Sequence, residues 1–255
     1  MLNPWNYILP YTCIVTILLV IGIVLAYRNR RNVVTTLLWC GAILQATFIV
    51  WLWAFVGYPP LRTMGETRLW YSLFLFASGA ILYTKYGFRW ITIFTTTLGT
   101  IFNIICTTHP EYHSEPLMPI LQSVWFVPHV SIYMLSYAIL GCATIMCIAN
   151  LIKYDRNRDQ LSIRLTRMGA GLFGIGLLLG CIWAKQAWGD YWSWDPKETW
   201  AAIAWLMYLL FIHLRLGDEH RKISYVISIL AFVALQMCWW GIKLIPLAVN
   251  SAHLY

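Results

Sequence analysis

The sequence predicts an all-α membrane protein, a polytopic bundle of about eight transmembrane helices with both termini outside. Of its 255 residues, 60% are hydrophobic and only 11% are charged, which departs strongly from the composition of an ordinary globular domain. The apolar residues also fall in long runs, such as 7–27 and 33–56, each near the ~20 residues that a helix needs to cross a lipid bilayer. We therefore expect residues 1–255 to form a single membrane domain.

Polar residues separate the apolar runs and mark the ends of eight candidate helices. The third and fourth are short, and only residues 84–89 lie between them, so they form either a tight hairpin or a pair with different tilts. The first run lacks the basic segment and small-residue cleavage site of a signal peptide, so we expect it to be retained. The predicted helices cover 7–27, 33–56, 69–84, 89–106, 129–152, 168–184, 198–214 and 223–242.

The basic residues predict the orientation of the helices. Thirteen of the 18 Lys and Arg residues fall in one alternating set of loops, and membrane proteins concentrate such residues on the cytoplasmic side. The loops 57–68, 107–128 and 185–197 and the tail 243–255 are then outside. The net charge of +8 is thus explained by topology, and no nucleic-acid partner is expected. The five outer basic residues are Arg62, Arg68, Lys185, Lys197 and Lys243.

The most informative segment reads WGDYWSWDPKETW over residues 188–200 and covers most of the outer loop 185–197 and the start of the next helix. Its aromatic residues fit two interpretations. They can form an interfacial belt at the depth of the lipid headgroups, or Trp188, Trp192 and Trp194 can line a pocket for a large planar ligand. Asp195 has a further predicted role, because Pro196 follows it and Glu198 stands three residues later, as in a capping box at the start of a helix.

A porphyrin is a ligand of this shape, and its iron needs axial ligands that are commonly histidines. His129 follows Pro128 at the outer end of the fifth helix, and His253 lies in the outer tail, so both share a compartment with the tryptophan loop. Each is also compatible with a solvated loop residue. The Pro-rich surroundings of His109 and His113 disfavour a helical metal site there.

His213 stands apart from these residues. It lies near the inner end of the seventh helix, roughly 22 Å from the tryptophan loop at 1.5 Å per residue, so it cannot ligate the same iron. An ionisable residue within a membrane span indicates a functional site. The alternative is a histidine that only marks the membrane interface beside Arg215.

The segment from Trp188 to Trp200 resembles the WWD signature of the haem-handling proteins of the CcmC/CcmF/CcsA superfamily. Its Asp-Pro-Lys-Glu-Thr-Trp continuation is similar to the CcsA type, and the resemblance extends from residue 121 to the tail. It implies that Trp188, Trp192, Trp194 and Asp195 hold haem together with His129 and His253. The tail departs from the family pattern Gly-Leu-His-Ser-Tyr, since residues 251–255 read SAHLY.

The resemblance further implies that His213 belongs to a second haem site, whose other ligand comes from a CcsB-like membrane protein. The implied function is to transport haem b and attach it, as one half of a CcsB-CcsA cytochrome c synthase, to the CxxCH motif of apocytochrome c. The implied location is the cell inner (cytoplasmic) membrane, with the WWD loop on the periplasmic or external side.

The residues leave the catalytic role of this chain open, because no nucleophile or acid–base pair is identifiable. Two other functions are compatible with the sequence. One is a CcmC-like haem delivery protein without synthase activity, and the other is a non-haem membrane transporter or structural subunit. A haem absorption spectrum would exclude the latter.

Overall fold

The structure, a computed structural model, describes residues 2–28, 30–113, 123–217 and 219–239. Within these ranges it contains eight α-helices, two short 3-10 helices and no strand, which confirms the all-α prediction. Six segments are long and apolar enough to cross a membrane, as expected of a multi-pass membrane protein. They are Pro4–Ala26, Arg31–Val56, Arg89–Thr108, Phe126–Ile152, Arg156–Trp188 and Arg221–Trp239.

The chain divides into two compact units, Met1–Met118 and Pro119–Tyr255. In the first unit, α1 packs against α2 and α4, while α3 packs against both α2 and α4. Each helix therefore has two helical neighbours, as in a four-helix bundle. The helices are α1 Ile8–Ala26, α2 Arg31–Val56, α3 Met64–Tyr86 and α4 Arg89–Thr108, flanked by the 3-10 helices Pro4–Tyr7 and Pro110–His113.

The second unit repeats this arrangement. Helix α5 packs against α6 and α8, and α7 packs against the same two helices. Both units are helical bundles, and the predicted single membrane domain stays a prediction. The helices are α5 Phe126–Ile152, α6 Arg156–Trp188, α7 Pro196–Leu214 and α8 Arg221–Trp239.

A buried polar cluster holds the helices of the first unit together. The Gln45 side-chain oxygen accepts hydrogen bonds from the Tyr11 hydroxyl at 2.7 Å and the Asn103 amide at 2.9 Å. The Gln45 amide in turn donates to the Leu69 carbonyl at 3.1 Å. Such interhelical hydrogen bonds favour association in an apolar environment, where an unsatisfied polar group is costly.

Helices α3 and α4 form a tight hairpin, which was one of the two predicted alternatives. Only Gly87 and Phe88 lie between the helices, and Gly87 has a φ of +73° at the end of α3. This left-handed conformation suits a residue without a side chain. Both helices are longer than predicted: α3 begins at Met64, where Thr63 and Glu66 form a capping box, and α4 continues to Thr108.

The largest error of the sequence prediction concerns α6, which begins at Arg156 and not at 168. The charged segment 153–167 was predicted to be a loop, but Asp155 caps the helix by accepting a hydrogen bond from the Arg158 backbone N–H at 2.8 Å. Asp159, one turn into the helix, is buried and pairs with Arg215 at 2.6 Å. The Tyr225 hydroxyl donates to the same carboxylate at 2.7 Å, so this polar extension is packed between helices.

Candidate functional site

The loop between α6 and α7 begins at Gly189, which ends α6 with a φ of +92°. The Lys185 ammonium donates to the Gly189 carbonyl at 2.5 Å and lies 5.4 Å from the centre of the Tyr191 ring. A positive φ at this position reverses the chain sharply without a steric cost. The loop therefore leaves the helix at a fixed angle.

The other end of the loop is fixed by the predicted capping box, which the structure confirms. The Asp195 carboxylate accepts from the Lys197 N–H at 2.8 Å. The Glu198 carboxylate accepts from the backbone N–H groups of Ser193 at 2.8 Å and Asp195 at 3.2 Å, and from the Ser193 hydroxyl at 3.3 Å. Glu198 therefore orders both the start of α7 and the two residues that flank Trp194.

Trp194 is held in an unusual backbone conformation. Its φ of +59° is the only positive value at a non-glycine residue in the described part of the chain, and this region disfavours bulky side chains. The Thr199 hydroxyl donates to the Trp194 carbonyl at 3.1 Å. The Trp194 side chain is 72% exposed, so the strained backbone presents an aromatic ring to its surroundings.

Trp192 and Trp194 form an edge-to-face pair, with ring centres 5.7 Å apart and an angle of 86° between the planes. The indole N–H of Trp192 is buried and has no hydrogen-bond partner among the described residues. A buried donor of this kind usually finds a partner. An acceptor group on a bound ligand would satisfy it.

His129 lies in the first turns of α5, which begins at Phe126 and therefore earlier than predicted. Its Nδ1 lies 2.8 Å from the Gly176 carbonyl of α6. Its ring stacks on that of Trp183, with centres 6.0 Å apart and planes at 11°. Trp183 in turn contacts Trp188 edge to face at 6.5 Å, so a continuous row of rings connects His129 to the loop.

A polar contact joins the segment just before α5 to the end of α6. The Ser123 hydroxyl donates to the Gln186 side-chain oxygen at 2.6 Å and accepts from the Trp125 backbone N–H at 3.2 Å. The start of α5 is thereby tied to the last turn of α6. His129 and the tryptophan loop consequently lie at one end of the second unit.

His213 is not part of this cluster. It lies near the opposite end of α7, about 26 Å along the helix from Pro196 at 1.5 Å per residue, slightly more than the sequence estimate. Its exposed imidazole has Nδ1 at 2.7 Å from the Leu209 carbonyl. His253, the other predicted haem ligand, lies outside the described residues.

The histidines of the first unit have local roles. His109 pairs with Glu111 at 2.6 Å on the surface. His113 stacks on Trp5 with ring centres 3.8 Å apart, and its Nε2 lies 2.6 Å from the Cys106 carbonyl. Within the residues that the structure describes, no group of three His, Cys, Asp or Glu side chains could hold a metal ion.

Sequence reasoning missed the residues that support His129. Trp183 lies in an apolar run, where a tryptophan resembles any lipid-facing or core residue. Gly176 and Gly180 are one helical turn apart, a spacing that indicates close helix packing but not the partner. Their i, i+4 repeat beside the tryptophan loop is the one feature that could have suggested them.

The chain is similar to known proteins of one family. The family model described as cytochrome C assembly protein matches residues 5–249. A cytochrome c biogenesis protein CcsA of Chlamydomonas reinhardtii is 33% identical over 78% of this chain and 62% of its own length. The matched region thus spans less than two thirds of that relative.

Other relatives are covered more fully. A CcsA protein of Mesostigma viride is 29% identical over 87% of this chain and 88% of its own length. A CcsA protein of Oenothera argillicola is 28% identical over 80% of this chain and 81% of its own length. The chain therefore belongs to the cytochrome c assembly protein family and, within it, is of the CcsA type.

Proposed function

We propose that the chain binds haem b at the WWD loop and positions it for attachment to apocytochrome c. The observation that carries this proposal is the row of rings from His129 through Trp183 to Trp188, which joins a potential iron ligand to an aromatic surface. Membership of a cytochrome c assembly family supports the assignment of haem as the ligand.

The residues of the loop fit a porphyrin. A haem has flat aromatic faces and two propionate carboxylates, and the exposed ring of Trp194 and the buried N–H of Trp192 match these two features. The hydrogen bond from His129 to the Gly176 carbonyl favours the tautomer with its lone pair on Nε2. His129 and His253 are the proposed axial ligands, and Trp188, Trp192, Trp194 and Asp195 form or order the surface around the ring.

We further propose that all eight helices cross the membrane and that both termini lie outside. Helices α3 and α7 are not among the six segments that are apolar enough by composition, and both carry charged residues in their first turns, such as Glu66 and Glu198. In the proposed topology these first turns lie at the membrane surface, on the same side as the WWD loop. The excess of Lys and Arg in the alternate loops supports the orientation. The WWD loop then faces the external side of the cytoplasmic membrane.

In the proposed reaction, each thiol of a CxxCH motif adds across a haem vinyl group, forming a carbon–sulfur bond while its hydrogen passes to the other vinyl carbon. No described residue is needed as a nucleophile for this addition. The chain's own contribution is to hold the ring, orient its edge and occupy the axial positions. Synthase activity requires a CcsB-like partner in this proposal, because that partner supplies the other ligand of the second haem site.

That second site is assigned to His213. Its ring is exposed and is oriented by the Leu209 carbonyl, an arrangement that leaves the imidazole accessible to another polypeptide. The distance from the loop excludes a shared iron. We propose that haem passes from this inner position to the outer one.

The proposal is tested by replacing His129 and His253 with Ala, one at a time, and purifying the full chain with its CcsB-like partner. Haem content and the visible spectrum are expected to change in both variants, and imidazole in the growth medium should restore them by filling the vacant axial position. His109→Ala is the matched control, because the His109 side chain contacts Glu111 and Tyr112 of its own short segment and has no role in the proposed site. Unchanged spectra in His129→Ala and His253→Ala would refute the axial assignment.

The same preparation separates synthase from delivery activity. Thioether formation on a CxxCH-containing apocytochrome, measured as haem that survives acid–acetone extraction, is expected only when the partner is present. Haem release without thioether formation, with or without the partner, would instead indicate a CcmC-like delivery protein. A purified protein that lacks a haem spectrum would contradict both.

A further inference from the structure

The face of α6 that packs against α5 carries glycines at the level of His129. A Cβ atom placed on Gly180 would lie 2.7 Å from Cε1 and 2.9 Å from Nδ1 of His129. One turn earlier, a Cβ on Gly176 would lie 3.1 Å from the Tyr133 ring. The imidazole therefore occupies the space that a side chain at position 180 would fill.

This close approach sets the position of the imidazole. Because Gly180 has no side chain, Nδ1 of His129 can reach the Gly176 carbonyl at 2.8 Å. A carbonyl only accepts, so Nδ1 donates, and the neutral ring carries its lone pair on Nε2. In metal sites, a hydrogen bond on the second ring nitrogen fixes the tautomer and the orientation of the ligand.

The ring has little freedom to move elsewhere. Tyr133 packs edge to face against it, with ring centres 4.5 Å apart, and Trp183 lies parallel to it on another side. A rotation that relieved a contact with position 180 would break the hydrogen bond to Gly176 or disturb one of these rings. Side chains packed this closely do not absorb such a displacement without cost.

We propose that Gly180 is a positioning residue for haem ligation: the absence of a side chain there creates the space that orients His129 toward the iron. This inference rests on the proposed function, since it assumes that His129 is a ligand. It adds that the ligand geometry is set by α6 and not by α5 alone. Any side chain at position 180, even a methyl group, is expected to alter ligation.

The first test compares Gly180→Ala with Gly171→Ala in the full chain purified with its partner. Both substitutions lie in α6, but a Cβ on Gly171 meets no atom within 4 Å. Gly180→Ala should lower haem affinity by about 10–100-fold, the usual effect of losing a supporting contact of a metal ligand, and should change the Soret band. Gly171→Ala should stay within about twofold of the wild type.

The second test separates positioning from a general effect on folding. In a His129→Ala background, external imidazole should restore the spectrum, and an added Gly180→Ala should raise the imidazole concentration needed, because the methyl group fills the same space. An added Gly171→Ala should not. Equal imidazole requirements in the two double variants would overturn the proposal.

The outcomes also distinguish this inference from the proposed function. Wild-type haem binding by His129→Ala would refute the ligand role itself. A large effect of His129→Ala together with a silent Gly180→Ala would refute only the positioning role. Gly180→Ala could also fail to accumulate in membranes. In that case, accumulation of the His129→Ala, Gly180→Ala double variant would support a clash between the methyl group and the imidazole. Failure of the double variant as well would exclude such a clash.

Discussion

Replacing Glu198 with Ala is expected to loosen the WWD loop while leaving the helices folded. The substitution removes the acceptor of three hydrogen bonds, two from Ser193 and one from the Asp195 N–H. Hydrogen bonds to charged groups contribute roughly 1.5–3 kcal/mol each when shielded from water. Ser193 is exposed, so we assign only about 2 kcal/mol to all three together.

This energy is comparable to the cost of the Trp194 conformation. A left-handed backbone at a non-glycine residue is unfavourable by roughly 1–2 kcal/mol, and Glu198 binds the residues on both sides of it. Without Glu198, Trp194 is free to adopt an ordinary φ and its ring leaves the position beside Trp192. A shift of about 2 kcal/mol corresponds to roughly a 30-fold loss of haem affinity.

Haem titration of the purified complex, followed at the Soret band, measures this effect. Glu198→Gln keeps an acceptor oxygen but loses the charge, which about halves the hydrogen-bond energy, so we expect a loss of about fivefold. Asp155→Ala is the control, because it removes the cap at the far end of α6 and costs a similar 0.5–2 kcal/mol without touching the loop. Wild-type affinity in Glu198→Ala would refute the role of the Glu198 hydrogen bonds in ordering the loop.

Two further predictions concern the loop and His213. Asp195→Asn keeps a capping oxygen and should retain more haem than Trp194→Ala; the reverse order, measured by haem content, would show that the carboxylate charge matters more than the aromatic surface. His213→Ala should lower haem at the outer site as well as cytochrome maturation, because in the proposed route haem reaches that site through the inner one. Wild-type haem loading in this variant would remove His213 from the route.

The helices could be predicted because a membrane imposes a minimum apolar length that is visible in the sequence. The same criterion explains the error at α6. Residues 156–167 are charged and look like a loop, but helix formation there depends on the Asp155 cap and on the burial of Asp159 against Arg215. Neither contact contributes to hydropathy. The length of the apolar run therefore predicted only the apolar part of α6 and not its charged extension over residues 156–167.

Within the site, the predictable features are the local ones. Asp195 and Glu198 are close in sequence, and the capping geometry follows from that spacing alone. The positive φ of Trp194 was not predictable, because no glycine or asparagine marks it. This φ is stabilised by hydrogen bonds from the residues on both sides of Trp194 to Glu198, and by the hydrogen bond from Thr199 to the Trp194 carbonyl.

The support of His129 could not be predicted because it joins residues far apart in the sequence. Gly176 and Gly180 belong to α6, and only the packing of α5 against α6 shows that they face the imidazole. The two halves of the proposed site are therefore held differently. His129 is fixed by packing between α5 and α6, whereas Trp194 is fixed by hydrogen bonds in an exposed loop. Under the proposed function, haem is bound and then released in covalent form, and this requires both a constant ligand position and a surface that can open.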